Sequence, residues 1–211
     1  MGAKKLKHAL LTGFEPFGTP RPMENRSWEV IKQLEGEEIA TDKSLVLCHC
    51  YELPVSYGPV AELVPKLHQS NDFSIVIHCG AGWPGAVRVE EFAHKCGYTK
   101  PGNDGEGDVP TDNQVPGYDT ADKLQTTVAV DKLKDELVAC GWEKVIVGSD
   151  AGHYLCDFTY YISLAEGETT YKQRQRQAPS TLFVHVPPER NDLYSDKELA
   201  DIIRAIVRHL A

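Results

Sequence analysis

The feature that most constrains this chain is a set of short, nearly unbroken apolar runs spaced along its length. His8–Leu11, Leu45–Leu53, Phe73–His78 (FSIVIH), Val145–Val147 and Thr181–Val186 (TLFVHV) are rich in Val, Ile, Leu and Phe. They lack the strict alternation of a strand with one wet face, so they read as strands buried on both faces. Between them the apolar residues recur every three to four positions: Trp28, Ile31 and Leu34; Val60, Leu63, Val64 and Leu67; Leu199, Ile202, Ile203, Ile206 and Leu210. That is the spacing of helices covering a core. The alternation predicts an α/β fold, a three-layer α/β/α sandwich with a largely parallel, doubly wound sheet, built as one domain over residues 1–211.

Finer assignments follow from local chemistry. Helices are expected over Asn25–Leu34, Ser56–Leu67 (with Pro65 positioned to end it early), Asp122–Cys140 and Tyr194–Leu210. Val87–Ala93 reads as a short strand, Gly80-Ala81-Gly82 as a turn, and Glu166–Pro179 as a polar connection. Gly97–Thr120, dense in Gly, Pro, Asp and Asn, reads as a long surface loop, either a lid or unstructured. Its Asp104, Glu106 and Asp108 lack the glycine and final glutamate of a calcium loop, so no calcium site is expected there.

Composition excludes several partners. The chain of 211 residues carries a formal net charge of −9, which argues against nucleic acid or an anionic membrane surface. No apolar stretch approaches the ~20 residues of a membrane span, and the apolar run after Lys4, Lys5 and Lys7 is too short for a secretory leader. A soluble, cytosolic protein is the expectation. The six cysteines include no CxxC pair and read as free thiols without a metal. Neither a GxGxxG nor a GxxxxGK[ST] motif is present, so no nucleotide or other cofactor is expected.

The chemistry concentrates in Val145–Leu164, VIVGSDAGHYLCDFTYYISL. A strand breaks at Gly148–Gly152 in a tight turn, and helical spacing begins near Tyr154. This puts Cys156 in the first turn of a helix, where unpaired N–H groups favour a thiolate. Two readings stand: a nucleophile, or one more buried thiol. A nucleophile needs a base and an orienting group. His185 is the one polar side chain near the carboxyl end of TLFVHV, whereas His78, inside FSIVIH, reads as a core histidine. Glu90 and Glu91 are adjacent carboxylates that point opposite ways if extended. The loop Thr12–Gly18 (TGFEPFG) holds Phe14 and Phe17 either as a flat slot or as plugs in the core.

Taken together, TGFEPFG, Asn25 with Ser27-Trp28, Val89-Glu90, DAGHYLCDFTYY (Asp150–Tyr161) and FVHVPP (Phe183–Pro188) resemble the pyroglutamyl-peptidase I family, cysteine peptidases that remove N-terminal pyroglutamate. The segments occur in the family's order and span most of the chain. The resemblance implies Cys156 as nucleophile, His185 as general base and Glu90 as third member. It implies Phe14 and Phe17 as the aromatic pair around the lactam, and Asn25 as a polar residue near the substrate. It implies peptide substrates with N-terminal pyroglutamate and sets no oligomeric state. After Gly80 the chain has Ala81-Gly82-Trp83-Pro84 where many bacterial relatives carry Gln. Its rivals are a non-catalytic relative that binds such termini and another small thiol hydrolase.

Overall fold

The apolar runs pair into one seven-stranded sheet in the computed structural model, which describes residues 4–18, 20–103, 108–190 and 193–211. In chain order the elements are β1 (Lys5–Phe14), α1 (Arg26–Ile31), β2 (Glu38–Ala40), β3 (Ser44–Leu53), α2 (Tyr57–Ser70), β4 (Phe73–Ala81), β5 (Val87–Glu90) and β6 (Phe92–His94). They continue with β7 (Lys123–Gln125), α3 (Val130–Ala139), β8 (Val145–Gly148), α4 (Leu155–Glu166), β9 (Ser180–Val186) and α5 (Asp196–Leu210). The sheet order is β2-β3-β1-β4-β9-β5-β8, and β6 and β7 form a separate antiparallel ribbon. Ala9, Leu11, Ile75, Ile77, Leu182 and Val184 face one core with α1, α3 and α5. Leu10, Val76 and Phe183 face the other with α2 and α4. The three layers of the sandwich follow from that division.

The sheet is less uniformly parallel than its apolar runs suggest. β3, β1, β4 and β9 run together, but β5 is antiparallel to β9, β8 is parallel to β5, and β2 is antiparallel to β3. Residues 82–86 between β4 and β5 are too few for a crossover, so β5 must return against β4. β8 is the edge strand and is not buried on both faces: Ile146 is 40% exposed.

Other boundaries also move. Of the helix expected over Asp122–Cys140, only Val130–Ala139 is helical, and Leu124 pairs with Ala93 in the ribbon. The β-branched run Thr126-Thr127-Val128 disfavours helix, and Thr126 instead donates through its hydroxyl to the Thr181 carbonyl at 2.6 Å. Pro65 lies inside α2 without ending it, while Val64, Leu67 and His68 hold that helix against the core. Gly80 and Ala81 continue β4 and are not a turn. The predicted strand Val87–Ala93 breaks at Glu91 into β5 and β6. The connection after α4 opens with a π-helical segment, Gly167–Tyr171, whose Tyr171 is buried. Asp104 and Glu106 lie outside the described residues. No helix among the described residues is long and apolar enough to cross a membrane.

The end of β9 is held firmly. Arg26, buried at the start of α1, donates to the Pro187 carbonyl at 3.0 Å and to those of Glu189 and Tyr194, and pairs with Asp196 at 2.8 Å. A buried guanidinium needs most of its donors filled, and here the segment leaving β9 fills them.

Candidate active site

β9 lies between β4 and β5, and its register sets the site. His185 is the Cα partner of Gly80 on one side and Arg88 on the other, and Glu90 is the partner of Phe183. Two-residue periodicity therefore puts His185 and Glu90 on one face of the sheet. His185 Nδ1 lies 2.8 Å from Glu90 Oε1, and the two side chains are 3% and 0% exposed. Tyr160 of α4 donates its hydroxyl to the Glu90 carbonyl at 2.9 Å. Glu91 is directed elsewhere: its N–H donates to the Gly148 carbonyl, and its carboxylate accepts from Gln125.

Cys156 reaches the same face from the helix layer. It occupies the second position of α4, after Tyr154 at the cap, and its sulfur rests on Gly80. A Cβ on that glycine would stand 2.7 Å from Sγ and 2.8 Å from the Phe183 ring. Two more glycines clear space in the same way. A Cβ on Gly82 would meet His185 Cβ at 2.7 Å, and one on Gly148 would meet Glu90 Oε2 at 2.0 Å. Each of the three side chains is thus seated on a backbone position without a Cβ, on a neighbouring strand. The glycine content of these strand ends signals close approach; turn chemistry does not explain it.

The strand-to-helix turn before Cys156 is not tight. β8 ends at Gly148, paired with Glu90 and so level with Phe183, whereas Cys156 sits at Gly80, level with His185. Residues 149–154 carry the chain back over that distance. Gly152 (φ 90°) and His153 (φ 39°) supply left-handed turns, and Asp150 Oδ1 accepts from the Gly152 N–H at 2.8 Å. The Tyr154 hydroxyl donates to the Pro101 carbonyl at 3.1 Å, and Lys100 Nζ lies 4.4 Å from the Tyr154 ring centre.

The thiol is not a depressed one. Although the residue keeps some exposure, the dense packing around its sulfur pushes Cys156 up to about 12, and the Asp157 and Glu90 carboxylates act in the same direction. Its own backbone N–H and the Lys100 ammonium pull the other way. The expectation of a low-pKa cysteine rested on the helix end alone. A helix end is worth about 0.3–1 kcal/mol, less than one pKa unit, and burial outweighs it. Burial thus favours the protonated thiol, and a sulfur so placed could act as a nucleophile only by passing its proton to a partner.

Aromatic side chains flank this cluster. Phe14 is buried at the end of β1, with its ring centre 6.4 Å from Phe183, which lies 4.7 Å from His185. Phe17 is partly buried, with its ring centre 6.4 Å from Tyr154. Phe14 is thus packed within the core and Phe17 is half-buried at the mouth of the loop. Asn25 caps α1: its Oδ1 accepts from the Ser27 N–H and hydroxyl, and its Nδ2 donates to the Glu15 carbonyl. Ser27 in turn accepts from the Phe14 N–H. The Asn25 side chain is thus occupied in holding the Phe14–Phe17 loop. Sequence reasoning passed over Trp83, which is 47% exposed with its ring centre 5.4 Å from His185. An indole after a Gly-Ala-Gly strand end was its only signal. His78 is the core histidine expected, bonded to Thr12 Oγ1 at 2.7 Å and lowered to about 3 by burial.

A buried histidine paired with a carboxylate, a helix-borne thiol resting on the adjoining strand and an aromatic rim can perform acyl transfer. Several known proteins match along most of the chain. Residues 7–200 match the model of a family described as pyroglutamyl peptidase. Pyroglutamyl-peptidase 1 of Rattus norvegicus is 33% identical over 206 residues, covering 97% of this chain and 90% of that protein. The pyrrolidone-carboxylate peptidase of Pyrococcus furiosus is 30% identical over 181 residues, covering 84% and 79%. In three dimensions the chain resembles the pyroglutamyl peptidase I of Bacillus amyloliquefaciens, with a TM-score of 0.80, 20% identity and coverage of 96% and 95%. It likewise resembles the pyrrolidone carboxyl peptidase of Fervidobacterium islandicum, with a TM-score of 0.79, 25% identity and coverage of 97% and 98%.

Proposed function

Because the chain belongs to the pyroglutamyl peptidase family, we propose that it hydrolyses the amide bond after an N-terminal pyroglutamate, with Cys156 as nucleophile, His185 as base and acid, and Glu90 as orienting carboxylate. The observation that carries this reading is the 2.8 Å contact between His185 and Glu90 on the sheet face where the Cys156 sulfur rests.

The steps follow from the positions. Glu90 accepts from His185 Nδ1, which leaves Nε2 to take the thiol proton. The sulfur attacks the pyroglutamyl carbonyl, and the developing oxyanion is met by backbone N–H groups at the start of α4. The Tyr154 side chain does not cap those groups, being bonded to Pro101 instead. Gly82 cannot contribute, since its N–H is spent on Val186. Histidinium then protonates the leaving amine as the C–N bond breaks, giving a thioester and a shortened peptide. Water, deprotonated by His185, attacks the thioester and releases pyroglutamate and the thiol. A neutral lactam has no charge to be recognised, so flat aromatic faces suit it. Phe14 and Phe17 supply them, and Asn25 acts by positioning their loop. The free thiols support a reducing, cytosolic setting.

The test is release of a fluorophore from a pyroglutamyl amide, with a prolyl amide as the specificity control and Cys156→Ser as the control for contaminating peptidase. Release from the pyroglutamyl amide alone is expected. Absence of release would favour a non-catalytic binder, and equal release from both amides would point to a different thiol hydrolase. Phe17→Ala should lower kcat/KM for the pyroglutamyl amide by about two- to tenfold, the value of one aromatic contact of ~0.5–1.5 kcal/mol. An unchanged kcat/KM in that variant would remove Phe17 from the lactam slot.

A further inference from the structure

Beside the catalytic cluster lies a second group of chemically able side chains that hydrolysis does not use. Asp157 follows Cys156 in the first turn of α4 but points toward β6, and it is fully buried. Its Oδ1 accepts from the His94 N–H at 3.0 Å, and its Oδ2 lies 3.2 Å from His94 Nδ1 and 3.6 Å from His153 Nδ1. His153 Nδ1 is also 3.1 Å from the Cys96 carbonyl. The two imidazole centres are 4.7 Å apart. Asp150, three residues before His153, adds a carboxylate, so that one donor atom from each of His94, Asp150 and His153 lies within 4.8 Å of the others.

We propose that His94, Asp150 and His153 form a binding site for a divalent transition-metal ion of the zinc type, distinct from the catalytic cluster. Two imidazoles and one carboxylate suit zinc or cobalt, whereas calcium and magnesium call for oxygen donors throughout. A buried carboxylate and a backbone carbonyl behind the rings are the outer partners that orient metal-binding histidines and raise their basicity. Asp157 and the Cys96 carbonyl stand in those places. Tetrahedral zinc with bonds of about 2.0–2.1 Å holds its ligands about 3.4 Å apart, so donors now within 4.8 Å of one another must draw together by up to about 1.4 Å. Asp150 and His153 are exposed on the connection and keep their present partners, Gly152 and the Cys96 carbonyl, through the Asp150 Oδ1 and His153 Nδ1 atoms, while His94 is anchored on β6. The fourth position would face solvent.

The consequence is mechanical. Asp150 and His153 belong to the connection over residues 149–154, and His94 belongs to β6, so a bound ion clips the connection to the ribbon just before Cys156. An ion that binds only this folded arrangement stabilises it in proportion to its occupancy.

The experiment is a Zn²⁺ titration by calorimetry, paired with thermal unfolding, on the full chain carrying Cys96→Ser, Cys140→Ser and Cys156→Ser. Those substitutions remove the two exposed thiols and the half-buried Cys156 as competing ligands, and leave Cys50, whose thiol donates to the Ile31 carbonyl at 3.2 Å. We expect one equivalent of Zn²⁺ to bind and to raise Tm, and Co²⁺ in its place to give the absorption of a tetrahedral site. His153→Ala, on the exposed connection, should weaken Zn²⁺ binding by more than about 100-fold, beyond the effect of losing an outer partner. Asp150→Ala should weaken it as well, and Ser149→Ala should not. Zinc binding that survives both His153→Ala and Asp150→Ala, or a folded chain that takes up no zinc, overturns the proposal and leaves the two histidines as mere partners of Asp157.

Discussion

Gly148→Ala should cost the protein most of its turnover, although residue 148 touches no substrate. The added methyl would stand 2.0 Å from Glu90 Oε2 and 2.6 Å from Oε1, the atom that meets His185. The Glu90 side chain is fully buried, so the carboxylate cannot yield without leaving the imidazole. Losing the orienting carboxylate of a serine-histidine pair costs on the order of 10⁴ in kcat, and a loss of about 10³–10⁴ is expected here. Glu90→Gln should fall in the same range, because an amide holds the wrong tautomer, whereas Glu91→Gln should remain near wild type. Overpacking at Gly148 also costs about 1–3 kcal/mol, so Tm should drop. Near-ultraviolet circular dichroism at low temperature separates that loss from the loss of chemistry. A folded Gly148→Ala protein with wild-type kcat would show that the Glu90–His185 contact does not limit the reaction.

The second large effect is on thiol reactivity. Burial raises Cys156 to about 12 while its proton stays on sulfur, and only a neighbouring base can accept that proton near neutrality. Wild-type protein should therefore be alkylated by iodoacetamide at Cys156 near neutral pH. In His185→Ala the acceptor is gone and the burial remains, so the alkylation midpoint should climb past the ~8.5 of a free cysteine, in the direction burial pushes the thiol. The apparent midpoint in wild type belongs to the cysteine-histidine pair as a unit. The sign extends to stability. A thiol whose pKa is raised by folding contributes stability below the unfolded value, and that contribution fades as pH rises from about 9 to about 12. Cys48, also raised to about 12 by burial, adds to the same alkaline window. Peptide mass spectrometry across neutral to alkaline pH reads the midpoints. Coincident profiles for wild type and His185→Ala would mean that the two side chains do not exchange a proton, and the peptidase mechanism would fall with them.

The apolar runs made the strands of both cores legible, because β1, β4 and β9 bury side chains on each face, whereas β3 alternates buried with half-buried positions and leaves Tyr51 exposed. They could not reveal direction. Periodicity records which face is buried, and the reversal of β5 depends on the length of the 82–86 connection, a detail readable in the sequence but overshadowed by the run of Val and Ile. β8 looked central for the same reason: three aliphatic residues do not disclose that Ile146 faces solvent. Leu124 fitted a helical stripe only until Thr126 and its neighbours are weighed. At the site, Cys156, His185 and Glu90 were nameable one by one, and the register of β5 against β9 brings the last two together. The environment of the sulfur was beyond local pattern, since Gly80, on which it rests, lies far from it in sequence.

The place of β9 bears on when the molecule comes to be what it is. The strand that carries His185 is the last to be translated, yet it lies between β4 and β5 in the middle of the sheet. A nascent chain extended only through α4 has two half-sheets, β2-β3-β1-β4 and β5-β8, tied together by residues 82–86 and by α4, and it brings Cys156 and Glu90 together without His185. Both halves keep an open edge until β9 is released and inserted, and Arg26 then locks its exit. Synthesis thus leaves the proposed Cys156–His185–Glu90 cluster incomplete until the last strand is in place.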